Sequence, residues 1–435
     1  MIRVRKTKYD ALCLTDVTRV GFCVLLALFA VMGAVRPASA QSASLGTVGL
    51  TPGWATFGQA VPQGIAADAL QVGTLPTQTD VKTRWPDNSI RFAVVTVHAT
   101  TAGTFPITPA TAPSGSLTPA LPGASVTLVI GGLAYIATLP PTPSTDEWLS
   151  GPLAYEGRSV VAPVSGGTPH PFLRVNFDTR VYHDGSGRVD VSVENVLDKV
   201  GATTVTYDVD IVIDGISRFT QSSVQHFYLT RWRKTFAIGA TAFATVTPDM
   251  TPFNVSRALP PYLPIVTNRV DAIPDSSRYG ILGSGALDPD MSAHGGRGAL
   301  APYPDWTARY LVHKDPAQRA FVLANGDLAG SWPVHVREAE ASSLTGVGSG
   351  RFVSLNQRPT IWLDQRAQDS GIDYVKGLPL PIREYTFLCA PPPATPEPGC
   401  QQPQPGQTRL IPDNAHQPSL AYVPYLLTGD RKSVV

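Results

Sequence analysis

The sequence predicts an α+β protein of several domains, with a long antiparallel β region first and paired helices after it. Three observations carry this. Between residues 45 and 250, apolar and polar residues alternate with period two in one run after another. After residue 251 the apolar spacing shifts to three and four. The 41 prolines and 38 glycines are scattered between apolar runs, the texture of turn-rich β structure rather than of disorder. A length of 435 residues allows two or three domains, and 43% hydrophobic against 15% charged residues allows a real core.

The N-terminus reads as an export signal. MIRVRKTKY is a basic leader, VGFCVLLALFAVMGAV an apolar stretch, and Ala38-Ser39-Ala40 a small-residue cleavage site. A cleaved secretory peptide over residues 1–40 predicts a secreted or periplasmic protein, cut after Ala40, with no stable membrane span afterwards. Removing it takes six of the 34 Lys/Arg and two of the 33 Asp/Glu, leaving 28 against 31 and a net charge of −3. No basic run survives, which excludes nucleic acid as the expected partner. Cys389 and Cys400 are the two cysteines that remain. In an oxidising compartment they are expected to form a disulfide closing the Pro-rich loop APPPATPEPG.

Within the β region, SVTLVIGGLAYIATL is two alternating runs joined by Gly131-Gly132, a hairpin signal. In TVTYDVDIVIDG, Val205, Tyr207, Val209, Ile211 and Ile213 share one face, and Thr206, Asp208 and Asp210 the other. RWPDNSIRFAVVTV is a turn followed by a strand with Ile90, Phe92 and Val94 on one side. The Thr/Pro-rich segment 99–122 reads as a long loop. QHFYLTRWRKTF reads as a strand carrying His226, Tyr228, Arg231, Trp232, Arg233 and Lys234; it is either the lining of an anionic-sugar groove or an edge strand guarded by charge.

Helix signals dominate residues 251–435. Asp305 is placed as an N-cap, and Asp315-Pro316 opens a second helix through Phe321, Val322 and Leu328. Pro418 suits the first turn of a last helix, with Leu420, Val423 and Leu427 as its apolar stripe and Gly429 as its stop. A lone helix of this length is marginal in water, so this stripe needs a partner.

Two stretches resemble a known family. TFGQAVPQG and LPTQTDVKTRWPDNSIRFAVVTV resemble the N-terminal RIFT-type β-barrel of the exo-rhamnogalacturonan-lyase-like family, with Asn88 where a glycine is usual. GGRGALAPYPDWTARYLV and AHQPSLAYVPYLLTGD resemble the first helices of the (α/α) toroid that follows that barrel. The resemblance implies an N-terminal β-barrel or sandwich region, then an incomplete toroid. The final DRKSVV is also what a common sequencing adapter encodes in frame. This predicts a C-terminally truncated chain whose last helix lacks its partner, and a chain inactive by itself.

The implied activity is β-elimination on acidic glycans by an exported carbohydrate-active protein. Such chemistry needs a base, a cation on the sugar carboxylate and an acid. His294 or Tyr303 is the candidate base and Arg297 the carboxylate clamp, whose fork suits bidentate binding. Trp306, Arg231, His416 and Tyr422 are candidate contacts to a polysaccharide or oligosaccharide. The competing explanation is that Gly295, Gly296 and Gly298 merely turn the chain. No metal-ligand spacing and no cofactor motif is legible. The alternative function is a non-catalytic glycan-binding protein, or a structural component of a surface or phage-like assembly.

Overall fold

The structure is a computed structural model that describes residues 45–198, 202–239, 243–264, 268–273, 277–287, 302–338, 352, 372–373, 378–379 and 418–433. The expected export signal, and Cys389, Cys400, His294, Arg297 and His416, lie outside the described residues.

The first module has six strands: β1 (Thr47–Leu50), β2 (Gly53–Ala60), β3 (Ala69–Val72), β4 (Thr77–Arg84), β5 (Ile90–Ala99) and β6 (Gly103–Ala110). β2, β5 and β4 form one antiparallel sheet, and β1, β6 and β3 belong to another. Between them lies a core that includes Val48, Phe57, Leu70, Ile90, Val95 and Val97. Asn88 opens β5 with φ 67°, the left-handed backbone that asparagine tolerates. The Asp87 carboxylate ties this turn by accepting from the backbone N–H (3.0 Å) and hydroxyl (2.6 Å) of Ser89.

β5 is buried on both faces, so the one-sided reading of it is corrected. Ile90 belongs to the core of this first module, whereas Phe92 and Val94 pack in the core shared with the helices. β6 also corrects the long loop expected over 99–122. Its two prolines mask it in the sequence, because proline argues against a central strand. Here β6 is shared between two partial neighbours: β1 pairs with residues 103–106, and β3 with residues 107–110.

A second β module is inserted after β6. It comprises β7 (Ala124–Ile130), β8 (Leu133–Thr138), β9 (Glu147–Ser150), β10 (Ala154–Val161), β11 (Val164–Ser165), β12 (Thr168–Pro169), β13 (Arg174–Tyr182), β14 (Gly187–Asn195), β15 (Leu197–Asp198), β16 (Val205–Ile213), β17 (Ile216–His226) and β18 (Thr230–Ile238). Gly131 and Gly132 turn the β7–β8 hairpin with φ of 56° and 83°, as their spacing predicts. The alternation of β16 is also realised, with Val205, Tyr207, Val209, Ile211 and Ile213 all buried. Two sheets result, in the orders β18-β14-β13-β10-β9 and β12-β11-β8-β7-β16-β17. They enclose a core of Val126, Leu128, Phe177, Val191, Ile211 and Trp232 among others. The chain then returns through β19 (Val246–Pro248), which pairs with β1 on the side away from β6. A short β20 (Arg337–Glu338) runs parallel to β15.

Four α-helices are described: α1 (Thr251–Val255), α2 (Asp305–His313), α3 (Pro316–Asp327) and α4 (Tyr422–Thr428). α3 opens as predicted, with the Asp315 carboxylate accepting from the N–H groups of Ala317 and Gln318. Asp305 is not the cap of α2; Pro304 holds that position, and Asp305 instead pairs with Arg309 one turn on, at 2.7 Å. α4 opens at Tyr422, later than Pro418 implied, and stops at Gly429 with φ 63°.

The expectation that the last helix lacks a partner is overturned. Val423, Leu426 and Leu427 are buried in a core with Phe92, Val94, Tyr310, Phe321 and Trp332. β2 makes room for this helix at Gly58, where an added Cβ would lie 2.3 Å from the carbonyl oxygen of Leu426. The Trp148 indole N–H closes the helix end by donating to the Gly429 carbonyl at 2.8 Å.

Candidate functional site

Two of the predicted site residues meet in space. Tyr303 ends the approach to α2 and Tyr422 is the first residue of α4. Their rings lie parallel and offset, 6.1 Å between centroids and 8° between planes, an arrangement that suits the aromatic quadrupole. The Tyr422 hydroxyl donates to the Ala258 carbonyl at 3.1 Å, fixing the ring against the α1 exit. Tyr422 is 40% exposed, and Tyr303 and Tyr262 beside it are half-buried. Tyr303 and Tyr422 form a small aromatic shelf whose exposed member is Tyr422, with Tyr262 electrostatically close to Tyr303.

Burial first, and then the neighbouring Tyr422 and Tyr262 phenols, push Tyr303 up to about 12. Burial likewise raises Tyr422 and Tyr262, with Arg91 opposing it weakly at Tyr422. At neutral pH these hydroxyls are therefore protonated; they can donate hydrogen bonds and stack, and none stands ready as a base.

Trp306 is not part of this shelf. It is 6% exposed, edge-on to Phe321 at 5.9 Å, and its carbonyl accepts from Gln318. The α2–α3 hairpin uses it as core, so it is not available to stack on a sugar. Arg231 departs from its expected role too. Its segment is the end of β17, a turn at Leu229 with φ 60°, and the start of β18, an edge strand. The Arg231 guanidinium is buried against Glu194 at 3.6 Å and donates to the Lys432 carbonyl. His226 is fully buried as well: its Nδ1 is 2.8 Å from the Tyr207 hydroxyl and its Nε2 is 3.0 Å from the Thr230 carbonyl. Trp232 donates to the same Tyr207 oxygen at 2.7 Å, so the three side chains form one polar thread through the sandwich.

Sequence reasoning missed a buried ladder of ion pairs on the outer face of the β18-β14-β13-β10 sheet. Arg158 grips Asp178 with two bonds of 2.7 and 2.8 Å. Arg180 bridges Glu156 at 2.5 Å and Asp430 at 2.9 Å. Arg188 pairs with Asp190 at 3.0 Å and also with Asp430. Lys432 reaches Asp190 at 3.3 Å, and Arg337 reaches Glu194 at 3.0 Å. Burial alone would raise the Asp430 carboxyl, but Arg188, Arg180 and Lys432 together hold it far below the usual range. Glu156 goes the other way: burial raises it, and Arg180 and Arg188 do not fully offset this. The signal was present in NFDTRVY and RVDVSVEN, where charged residues alternate with apolar ones. Such a pattern ordinarily marks a solvent-facing side, and here residues 430–433 cover it.

The chain matches no known protein family, no curated protein and no solved structure. Its chemistry is therefore read from its own geometry. Among the described residues, no group of three or more His, Cys, Asp or Glu is placed to hold a metal ion. Among them also, no helix is long and apolar enough to cross a membrane. The ladder has its charges matched in pairs and is closed over, which suits holding segments together. At the tyrosine shelf the Tyr422 ring is left 40% exposed, an aromatic face on which a flat ligand can stack.

Proposed function

We propose that this chain is an exported carbohydrate-active protein that holds a polysaccharide or oligosaccharide on the Tyr303–Tyr422 shelf. The observation that supports this is the parallel pair of tyrosine rings, brought together from two distant stretches, with Tyr422 left exposed. Pyranose rings present apolar C–H faces and hydroxyl edges, which match an aromatic face and phenolic donors. Acidic glycans are the preferred class because the sequence resembles the exo-rhamnogalacturonan-lyase-like barrel and because Arg91 stands near the shelf. Binding is better supported than β-elimination, since burial keeps Tyr303 protonated. A lyase reaction would have to draw its base and clamp from His294, Arg297 or His416.

The test is calorimetric titration of the chain with short oligogalacturonides and with neutral oligosaccharides of equal length. Tyr422→Ala removes one ring from the pair and is expected to weaken binding about three- to tenfold, the worth of a single aromatic contact. Binding unchanged in Tyr422→Ala would overturn this function.

A further inference from the structure

Arg91 owes its position to an irregularity in β5. In the register with β4, Thr83 stands opposite Phe92 and Arg84 opposite Ile90, so Arg91 has no residue facing it. A bulge of this kind re-aims the side chain it carries, and it shifts the alternation of the strand. That shift is why Ile90 and Phe92, two residues apart, enter different cores. The Phe92 ring lies 4.9 Å from that of Tyr425, one turn beyond Tyr422, which puts the bulge beside the helix that presents the shelf. Arg91 itself is exposed. Its charge is felt at the Tyr422 phenol, where it opposes the effect of burial.

The guanidinium is held in place while its donors stay free. It lies over the Trp85 ring, 4.7 Å from the centroid. Trp85 is half-buried and fixed by its indole N–H, which donates to the Val61 carbonyl at 2.9 Å. Among the described residues, the Arg91 guanidinium makes no ion pair and donates no hydrogen bond. Asp87, in the same turn, spends its carboxylate on Ser89, and Arg84 donates to the carbonyls of Ala67 and Asn88 at 2.6 and 2.9 Å. Arg158, Arg180 and Arg188 of the buried ladder each hold a carboxylate; Arg91 holds none. Stacking occupies the flat face of a guanidinium and leaves its N–H edge, the geometry that takes a carboxylate with two parallel bonds.

We propose that Arg91 is the specificity-determining residue of the shelf: it binds the carboxylate of a uronate unit whose ring lies on Tyr422, and Trp85 positions its guanidinium. This rests on the reading of the shelf as a saccharide site and adds to it the group that tells acidic chains from neutral ones. Tyr422 supplies stacking that any pyranose can use, and Arg91 supplies the contact that only a free carboxylate repays. An arginine that merely covers an indole does so with its flat face and stem, and such a role would leave ligand selectivity unmoved.

The probes are trigalacturonate and its fully methyl-esterified form, which share a backbone and differ in charge, titrated into the full chain by calorimetry. The chain should prefer trigalacturonate about three- to tenfold, the worth of an accessible charge-assisted contact, and added salt should erode that preference. Arg91→Gln should bring the two ligands to equal affinity while binding of the ester, which also reports that the variant is folded, stays as it was. Arg91→Lys keeps the charge without the fork and should retain only part of the preference. Trp85→Phe should keep it, and Trp85→Leu should lower it with ester binding intact. Arg218→Gln, at another exposed arginine on β17, removes the same charge from the molecule and should change nothing. If Arg91→Gln keeps the preference, or Arg218→Gln loses it equally, the role of Arg91 is overturned while the shelf stands. If neither ligand binds, or binding ignores Tyr422→Ala, the shelf reading falls and the role of Arg91 with it.

Discussion

Asp430 is the residue whose neutralisation should be felt most widely. It is 3% exposed and contacts two buried guanidiniums, Arg180 at 2.9 Å and Arg188. Asp430→Asn keeps the shape and removes the charge. Breaking one partner out of a buried pair costs about 3–5 kcal/mol, because the remaining charge is stranded. Here each arginine keeps another carboxylate, Glu156 for Arg180 and Asp190 for Arg188, so the low end applies: about 3 kcal/mol. The Glu156→Gln variant is the control. Glu156 is bridged to Arg180, which keeps Asp430 in this variant, so the amide should cost less, about 1–2 kcal/mol. Urea denaturation of the three proteins at neutral pH, with the midpoint and slope fitted together, reads the difference. Limited proteolysis then shows whether residues 418–433 are released first. If Asp430→Asn lies within 1 kcal/mol of the parent while Glu156→Gln does not, the ladder does not hold the C-terminal segment in the way its geometry implies.

Stability should fall in mild acid. His226 and His335, both buried, are pushed down to about 4, against about 6.5 in the unfolded chain. The unfolded state therefore binds more protons between those values, and stability present above pH 6.5 is lost as pH falls towards 4. His226→Gln, which does not titrate, should flatten this slope by about one proton in denaturation curves taken across the range. At Asn88, with φ 67°, glycine should be neutral or slightly stabilising, whereas valine should cost about 1–2 kcal/mol in thermal melts. Equal melting temperatures for the two would show that the turn relaxes. Incubated with acidic oligosaccharides, the chain should release no unsaturated product, since burial holds the candidate base Tyr303 in its protonated form; ultraviolet detection of such product would sink that expectation.

Local rules were legible and tertiary ones were not. The Gly131-Gly132 hairpin, the alternation of β16, the Asp315 cap and the Gly429 stop each depend on residues adjacent in sequence. β6 was hidden because Pro106 and Pro109 speak against a strand, and only its two-sided sharing between β1 and β3 shows how both are accommodated. The charged faces of β13 and β14 looked like solvent faces because nothing local says what will cover them. Of the candidate site, Tyr303 and Tyr422 were both chosen as residues, but their stacking depends on the packing of α2 and α4, which no spacing encodes. Trp306 shows the reverse case: its position just before an apolar helix face suited a platform and a core residue equally well.

The insertion of the second module has a consequence for how the chain is made. β1 is flanked by β6 on one side and β19 on the other, and the whole of β7 to β18 lies between those two neighbours in sequence. At about 5–20 residues per second, a ribosome needs roughly seven to twenty-seven seconds to pass from Ala110 to Val246. During that interval β1 has one bare edge, and the later module emerges and can close while the earlier one waits for its last strand. The first described strand is thus among the last to be fully paired, and a nascent chain held short of β19 should expose β1 to any helper protein that seeks unpaired strands.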